Sequence, residues 1–180
     1  MIDTLWGNIF CRNVKKEQLI FDALRAVPLF NELSNRELRT VQKLVYVRYY
    51  SDRETIFSAG DPSLGMYIIT VGAVHIIREV PGGQPKLIAE FIGGDVFGEM
   101  GLIDESPRSA SAVAHGATET IGFFKPELLK MSSRHPQLGL KIFLSVAKTL
   151  SARLRRTHQE LDDLLQNTQK EHDVAPNYLR

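Results

Sequence analysis

The sequence predicts a mainly β fold with flanking helices: a jelly-roll β-barrel preceded by N-terminal helices and followed by one long C-terminal helix. Three observations predict it. The middle of the chain is a series of short β-branched and aromatic runs punctuated by turn residues. Apolar residues at both ends recur at helical spacing instead. The final helical pattern continues for more than four turns without a proline or glycine after Gly139.

Taken in order, Ile2, Leu5, Trp6, Ile9 and Phe10 form one apolar stripe at helical spacing, and Leu19, Ile20, Ala23, Leu24 and Val27 continue a helical pattern up to Pro28. Ser34 is an N-cap, with Glu37 three residues on as in a capping box, for a helix expected to run from Asn35 to about Val45. The period then changes. V-Y-V-R-Y-Y, E-T-I-F-S, M-Y-I-I-T-V, A-V-H-I-I-R-E-V, K-L-I-A-E-F-I, S-A-S-A-V-A and T-E-T-I-G-F-F alternate with S-D-R, A-G-D-P, V-G and P-G-G-Q-P. About seven or eight short strands at this spacing predict a β-sandwich or barrel, and P-G-G-Q-P reads as a hairpin tip.

From Pro126 the pattern is helical again, with a short helix over about 126–132 and a long one over about 136–168. On the latter Leu140, Ala147, Leu154 and Leu161 fall seven apart, with Phe143, Leu150 and Leu164 near the alternate heptad positions and Thr157 interrupting. This pattern fits either a helix that pairs with a copy of itself or a helix that covers its own barrel; the length favours a homodimer through 136–168. The expected organisation is a helical segment at 1–27, the β domain at 28–134, the long helix at 135–168 and a flexible tail at 169–180.

Composition narrows the function classes. The chain has 180 residues and a net charge of +1, so bulk electrostatics favours no particular partner. The hydrophobic and charged fractions, 43% and 24%, are those of an ordinary globular domain. Cys11 stands alone, and no apolar run approaches the length of a membrane span. The N-terminus has no basic start followed by an apolar run, so a cytoplasmic protein is expected.

The stretch F-G-E-M-G-L-I-D-E-S-P-R-S-A-S-A, residues 97–112, concentrates the chemistry. It places Glu99 in a glycine-flanked apolar turn and Arg108 nine residues later, behind a proline. Charges among small and apolar residues are costly unless they are paired or meet a ligand. Two readings follow: an internal Glu99–Arg108 salt bridge, or a ligand with hydroxyls at one end and an anion at the other. A guanidinium suits a phosphodiester, a carboxylate reads a hydroxyl donor, and a short turn at G-E-M-G-L-I can point N–H groups at an anion.

This stretch, with G-x-x-x-x-Y-I-I-T-x-G-x-V over Gly60–Val74 at altered local spacing, resembles the cyclic nucleotide-binding domain family of catabolite activator proteins and protein kinase A regulatory subunits. The resemblance covers about residues 14–165, and its phosphate-binding cassette is residues 97–112. It implies a bound cyclic nucleotide. Gly98 and Glu99 match the cassette glycine and the glutamate that accepts a hydrogen bond from the ribose 2′-hydroxyl. Arg108 matches the arginine of the cyclic phosphate and Ser109 the position after it. Met100, Gly101 and Ala110 match positions where backbone approaches the ligand. Ser109 is compatible with cyclic AMP or cyclic GMP; cyclic AMP is the preferred ligand. The long helix is expected to cap the base, with Thr149, Arg153, Arg156 and Thr157 as candidate lid residues. A solvated basic face is the alternative for Arg153, Arg155 and Arg156.

Only about a dozen residues follow the long helix, where catabolite activator proteins continue into a helix-turn-helix domain, so no DNA-binding domain is expected. The output is then a helix rearrangement read by a partner. The stripe Ile2/Leu5/Trp6/Ile9/Phe10 is the candidate surface for that partner. It is also able to fold back on its own domain, or to lie on a membrane beside Arg12, Lys15 and Lys16. An enzyme is not expected. The histidines at 75, 115, 135, 158 and 172 are never two residues apart, so the His-x-His pair of a cupin metal site is missing and no metal or catalytic residue is assigned. A structural dimerisation module with a degenerate pocket shares every one of these fold expectations and differs only at the pocket.

Overall fold

A computed structural model describes residues 16–80 and 82–173. The stripe at residues 2–10 and Cys11 lie outside the described residues, as does the end of the expected tail. Helix α1 occupies residues 16–26 and is followed by a 3-10 turn, Pro28–Phe30. Helix α2 is Asn35–Gln42. The strands are β1 (Val45–Tyr50), β2 (Thr55–Phe57), β3 (Gly65–Arg78), β4 (Lys86–Ile92), β5 (Val96–Phe97) and β6 (Ser111–Phe124). Helices α3 (Lys125–Arg134) and α4 (Pro136–Asp173) close the chain.

The capping box at α2 is formed: the Glu37 amide donates to Ser34 Oγ at 3.3 Å, and the Ser34 amide donates to Glu37 Oε2 at 2.8 Å. The helix stops at Gln42 rather than near Val45, because V-Y-V-R-Y-Y is taken by β1. Apolar positions of α1 face inward, with Phe21 and Leu24 buried, whereas Leu19 is exposed.

The six strands form one antiparallel sheet in the order β1-β6-β3-β4, with β2 also paired to β6 and β5 to β3. Two pairs of expected strands are fused. M-Y-I-I-T-V and A-V-H-I-I-R are both β3, and S-A-V-A and T-E-T-I-G-F-F are both β6. The V-G signal at 71–72 marks a bulge rather than a chain reversal: the β3–β6 register shifts between Ile69 and Val71 and again between Val71 and Ala73. Gly72 takes φ +82° there, and a Cβ would meet the Ala117 carbonyl at 2.5 Å, so only glycine fits. The bends let β3 and β6 serve two halves of the barrel. Their Gly65–Val71 and Thr118–Phe124 parts pair beside β1, and their Ala73–Ile77 and Ser111–His115 parts pair beside β4 and β2.

The two halves have separate cores. The larger lies between helices and sheet and contains Leu24, Phe30, Leu38, Met66, Ile68, Ile121, Phe123, Leu128, Ile142 and Val146. Phe30 meets Phe123 edge-on at 6.3 Å between ring centroids. The smaller contains Ile69, Val74, Phe97 and Ala112, with Ile56, Phe57, Tyr67, Ile76 and Phe91 packed on it. It forms the floor of the site described next.

Helix α4 buries Leu138, Ile142 and Val146 against the larger core, and Phe143 and Leu150 also pack there. Two of the heptad positions read from the sequence are therefore spent on the chain's own core. Leu140, Leu154, Leu161 and Leu164 are more than half exposed, and so is Leu165. Salt bridges Lys141–Glu37 (2.7 Å) and Lys148–Glu32 (2.5 Å) hold the first half of α4 to α2 and the turn before it. Among the described residues no helix is long and apolar enough to cross a membrane.

Candidate functional site: a cleft between the cassette loop and α4

Strand β5 leads through Gly98 into a 3-10 turn, Glu99–Leu102, and the chain then crosses an irregular loop to Arg108 before β6 begins. Gly98 has φ +73°, the left-handed conformation that reverses the chain direction after Phe97. The loop is pinned at its far end by backbone pairs: the Arg108 amide donates to the Asp61 carbonyl at 2.9 Å and the Gly60 amide donates to the Arg108 carbonyl at 2.9 Å. These bonds turn the Arg108 side chain inward, and the residue is 8% exposed.

The buried guanidinium is held without a carboxylate partner among the described ion pairs. Its Nη1 donates to the Gly98 carbonyl at 3.1 Å and its Nη2 to the Gly65 carbonyl at 2.7 Å. It lies over the Phe57 ring at 4.1 Å from the centroid. Its Nε is buried and has no hydrogen-bond partner among the described residues. Burial lowers the pKa of Arg108 and the charges of Tyr67, Glu99 and Asp61 work the other way. Burial raises the pKa of Tyr67, and the charges of Arg108 and Arg48 work against that rise.

Glu99, 3% exposed, does not pair with Arg108. Its Oε1 accepts from Nη1 of Arg153 on α4 at 2.5 Å, and Arg153 Nη2 donates to the Val96 carbonyl at 2.7 Å. The Arg153 guanidinium also lies 5.6 Å from the centroid of the Phe91 ring. The internal Glu99–Arg108 salt bridge that the sequence allowed is thus replaced by one between the turn and the C-terminal helix.

Gly98, Glu99, Met100, Arg108, Ser109, Ala110 and Arg153 line one cavity of about 270 Å³. Of the expected site residues, Gly101 is not on its wall: it packs where a Cβ would meet Ser63 Oγ at 2.5 Å. Of the four candidate lid residues only Arg153 reaches the cavity. Thr149 and Thr157 turn their hydroxyls back to the helix carbonyls of Ser145 and Arg153, and Arg156 pairs with Glu160 at 2.8 Å in solvent. The sequence reading missed the apolar walls, Phe57, Ile76, Phe91 and Phe97, and the polar Ser63 and Asp104. The walls were legible only as alternate strand positions; which face they share depends on register.

Register also overturns the isolation of the histidines. His75 and His115 stack at 4.3 Å between ring centroids, because residues 73–77 of β3 lie against residues 111–115 of β6.

A family model, the Cyclic nucleotide-binding domain, matches residues 47–135. The chain carries a domain of the cyclic nucleotide-binding family. It is 34% identical over 139 residues to the Cyclic AMP receptor protein of Thermus thermophilus, covering 77% of this chain and 62% of that protein. It is 32% identical over 107 residues to a cAMP-dependent protein kinase regulatory subunit of Mycosarcoma maydis, covering 59% of this chain and 20% of that one. Among solved structures, a cyclic nucleotide-binding domain from Methylobacillus flagellatus superposes with a TM-score of 0.70 at 28% identity, over 81% of this chain and 82% of that one. The chain thus spans less than two thirds of the length of these two curated relatives.

Proposed function

We propose that the chain is a cyclic-nucleotide sensor, with cyclic AMP as its ligand, that signals through the position of α4. The observation that carries this reading is the convergence on one cavity of a buried guanidinium, Arg108, with no carboxylate partner among the described residues, and a buried carboxylate, Glu99, over an aromatic floor. An anion at Arg108 neutralises a charge that, among the described residues, two carbonyls and the Phe57 and Tyr67 ring faces hold. A carboxylate accepts at both oxygens, so Glu99 has capacity for a ribose hydroxyl beside or in place of Arg153. Phe57, Ile76, Phe91 and Phe97 offer apolar surface for the remainder of the nucleotide. The names of the bacterial and fungal relatives favour cyclic AMP over cyclic GMP.

Because Arg153 reaches Glu99 and Val96 from α4, a ligand that engages Glu99 alters a tether of that helix. The helix moves no further than the ligand's differential affinity for the two arrangements allows. The exposed leucines of α4 fit pairing with a second copy of the chain, which sedimentation at increasing concentration tests.

The direct experiment is calorimetric titration with cyclic AMP and cyclic GMP, of the native chain and of Arg108→Ala. Saturable binding of cyclic AMP that weakens by about 2–5 kcal/mol in the variant is expected. A folded chain that binds neither nucleotide supports a structural dimerisation module instead.

A further inference from the structure

We propose that His75, Glu90 and His115 form a binding site for a divalent first-row transition ion, zinc being the fitting case, on the face of the sheet turned away from the nucleotide cavity. Strand alternation places them there. His75 lies between Val74, which is buried, and Ile76, which lines the cavity, so its side chain leaves by the opposite face. Glu90 precedes the cavity residue Phe91, and His115 follows the buried Ala114. The register brings the three together: His75 faces Glu90 across β3–β4, and on β6 it faces Val113, two residues from His115.

The geometry is close to a coordination sphere. His75 Nε2 and Glu90 Oε1 are 3.3 Å apart. Two ligands of a tetrahedral ion at bonds of about 2.0–2.1 Å are separated by about 3.3 Å. A ligand atom from each of the three side chains lies within 4.8 Å of the others, so a rotation of the exposed His115 ring closes the set. Two imidazoles and one carboxylate suit zinc and its neighbours, whereas calcium and magnesium prefer all-oxygen sites. A His75–Glu90 hydrogen bond alone accounts for two of the residues but gives no role to the third, a ring stacked parallel to His75 at an interplanar angle of 16°. An ion held here joins β3, β4 and β6, and each of Ile76 and Phe91 on the cavity wall is next in sequence to one of its ligands. The site stands independently of the nucleotide reading.

The test is titration of the chelator-treated full chain with zinc chloride, followed by calorimetry and by the thermal unfolding midpoint, with magnesium chloride as a parallel probe. Native chain is expected to take up zinc saturably and to gain in unfolding midpoint, and not to respond to magnesium. His115→Ala changes an exposed ring and should fold normally; it is expected to weaken zinc binding at least about tenfold and to abolish the gain in midpoint. His75→Ala and Glu90→Gln, checked for native circular dichroism, should act in the same direction. Absence of zinc uptake overturns the site. So does uptake that is unchanged in His115→Ala, which would place the ion at Cys11 or another histidine.

Discussion

Glu99 and Arg153 are 54 residues apart in the chain and 2.5 Å apart in the fold. One belongs to the turn that opens the cassette loop, the other to α4; in the proposed sensor the bond between them would link ligand chemistry to helix position. Removing Arg153 leaves a buried carboxylate with one charged partner fewer. Since Arg153 is 42% exposed, its replacement by Ala is expected to destabilise the fold by about 1–3 kcal/mol, not the larger amount of a fully buried pair. Urea denaturation measures this. Amide exchange in α4 beyond residue 150 should quicken in the same variant; unchanged exchange would mean that the pair does not hold the helix.

Arg108→Lys tests the fork rather than the charge. A lysine ammonium cannot donate to the Gly65 and Gly98 carbonyls in the planar geometry of the guanidinium while also meeting a phosphate. Nucleotide affinity is expected to fall about tenfold or more, about 1.4 kcal/mol, with the fold retained. Calorimetry showing native affinity would leave Arg108 a structural residue.

Glu99→Gln keeps the shape of the side chain but makes it a donor as well as an acceptor. It should reduce discrimination between cyclic AMP and its 2′-deoxy analogue. If both ligands lose affinity equally, Glu99 does not read the ribose.

Gly98→Ala combines two strains. The position has φ +73°, which disfavours any Cβ by about 1–2 kcal/mol. The new methyl would also stand 2.6 Å from Arg108 Nη1 and displace the guanidinium. Lower stability together with weaker nucleotide binding is expected; normal binding in a merely less stable protein would separate the turn from the site.

Glu37 supplies a pH dependence. The Lys141 ammonium, first, and the Ser34 amide and hydroxyl, next, lower its pKa from 4.5 to about 2. A carboxylate depressed in the folded state contributes stability that is complete above its ordinary pKa and is lost as the pH falls from about 4.5 towards 2. Lys141→Met should raise the Glu37 pKa, seen by carboxyl-carbon NMR, and move acid unfolding to higher pH. No change in either would deny the α2–α4 salt bridge a role in solution.

Much of this molecule was legible in the sequence. The helical ends, the capping box at Ser34 and Glu37, and the strand-rich middle follow from period and local side-chain bonding, which depend on neighbours a few residues away. That Gly98, Glu99 and Arg108 could share one site was equally legible, because they stand within one stretch, residues 97–112, and they line one cavity. The two halves of β3 were read apart because Gly72 signals a turn and a bulge alike, and only a partner strand distinguishes them.

The sequence by itself determined which groups are available: Glu99 and Arg108 in one loop, a basic cluster on the last helix, and histidines scattered along the strands. Tertiary structure decided which of them meet. It chose Arg153 over Thr149, Arg156 and Thr157 as the α4 residue in the cavity, and over Arg108 as the partner of Glu99. It also stacked His75 on His115 beside Glu90. The physical reason is that these contacts rest on sheet register and on the rotation of α4 about its axis. Both are set by burying Leu138, Ile142 and Val146 and the inner strand faces together, a condition on the whole core rather than on any short stretch of chain.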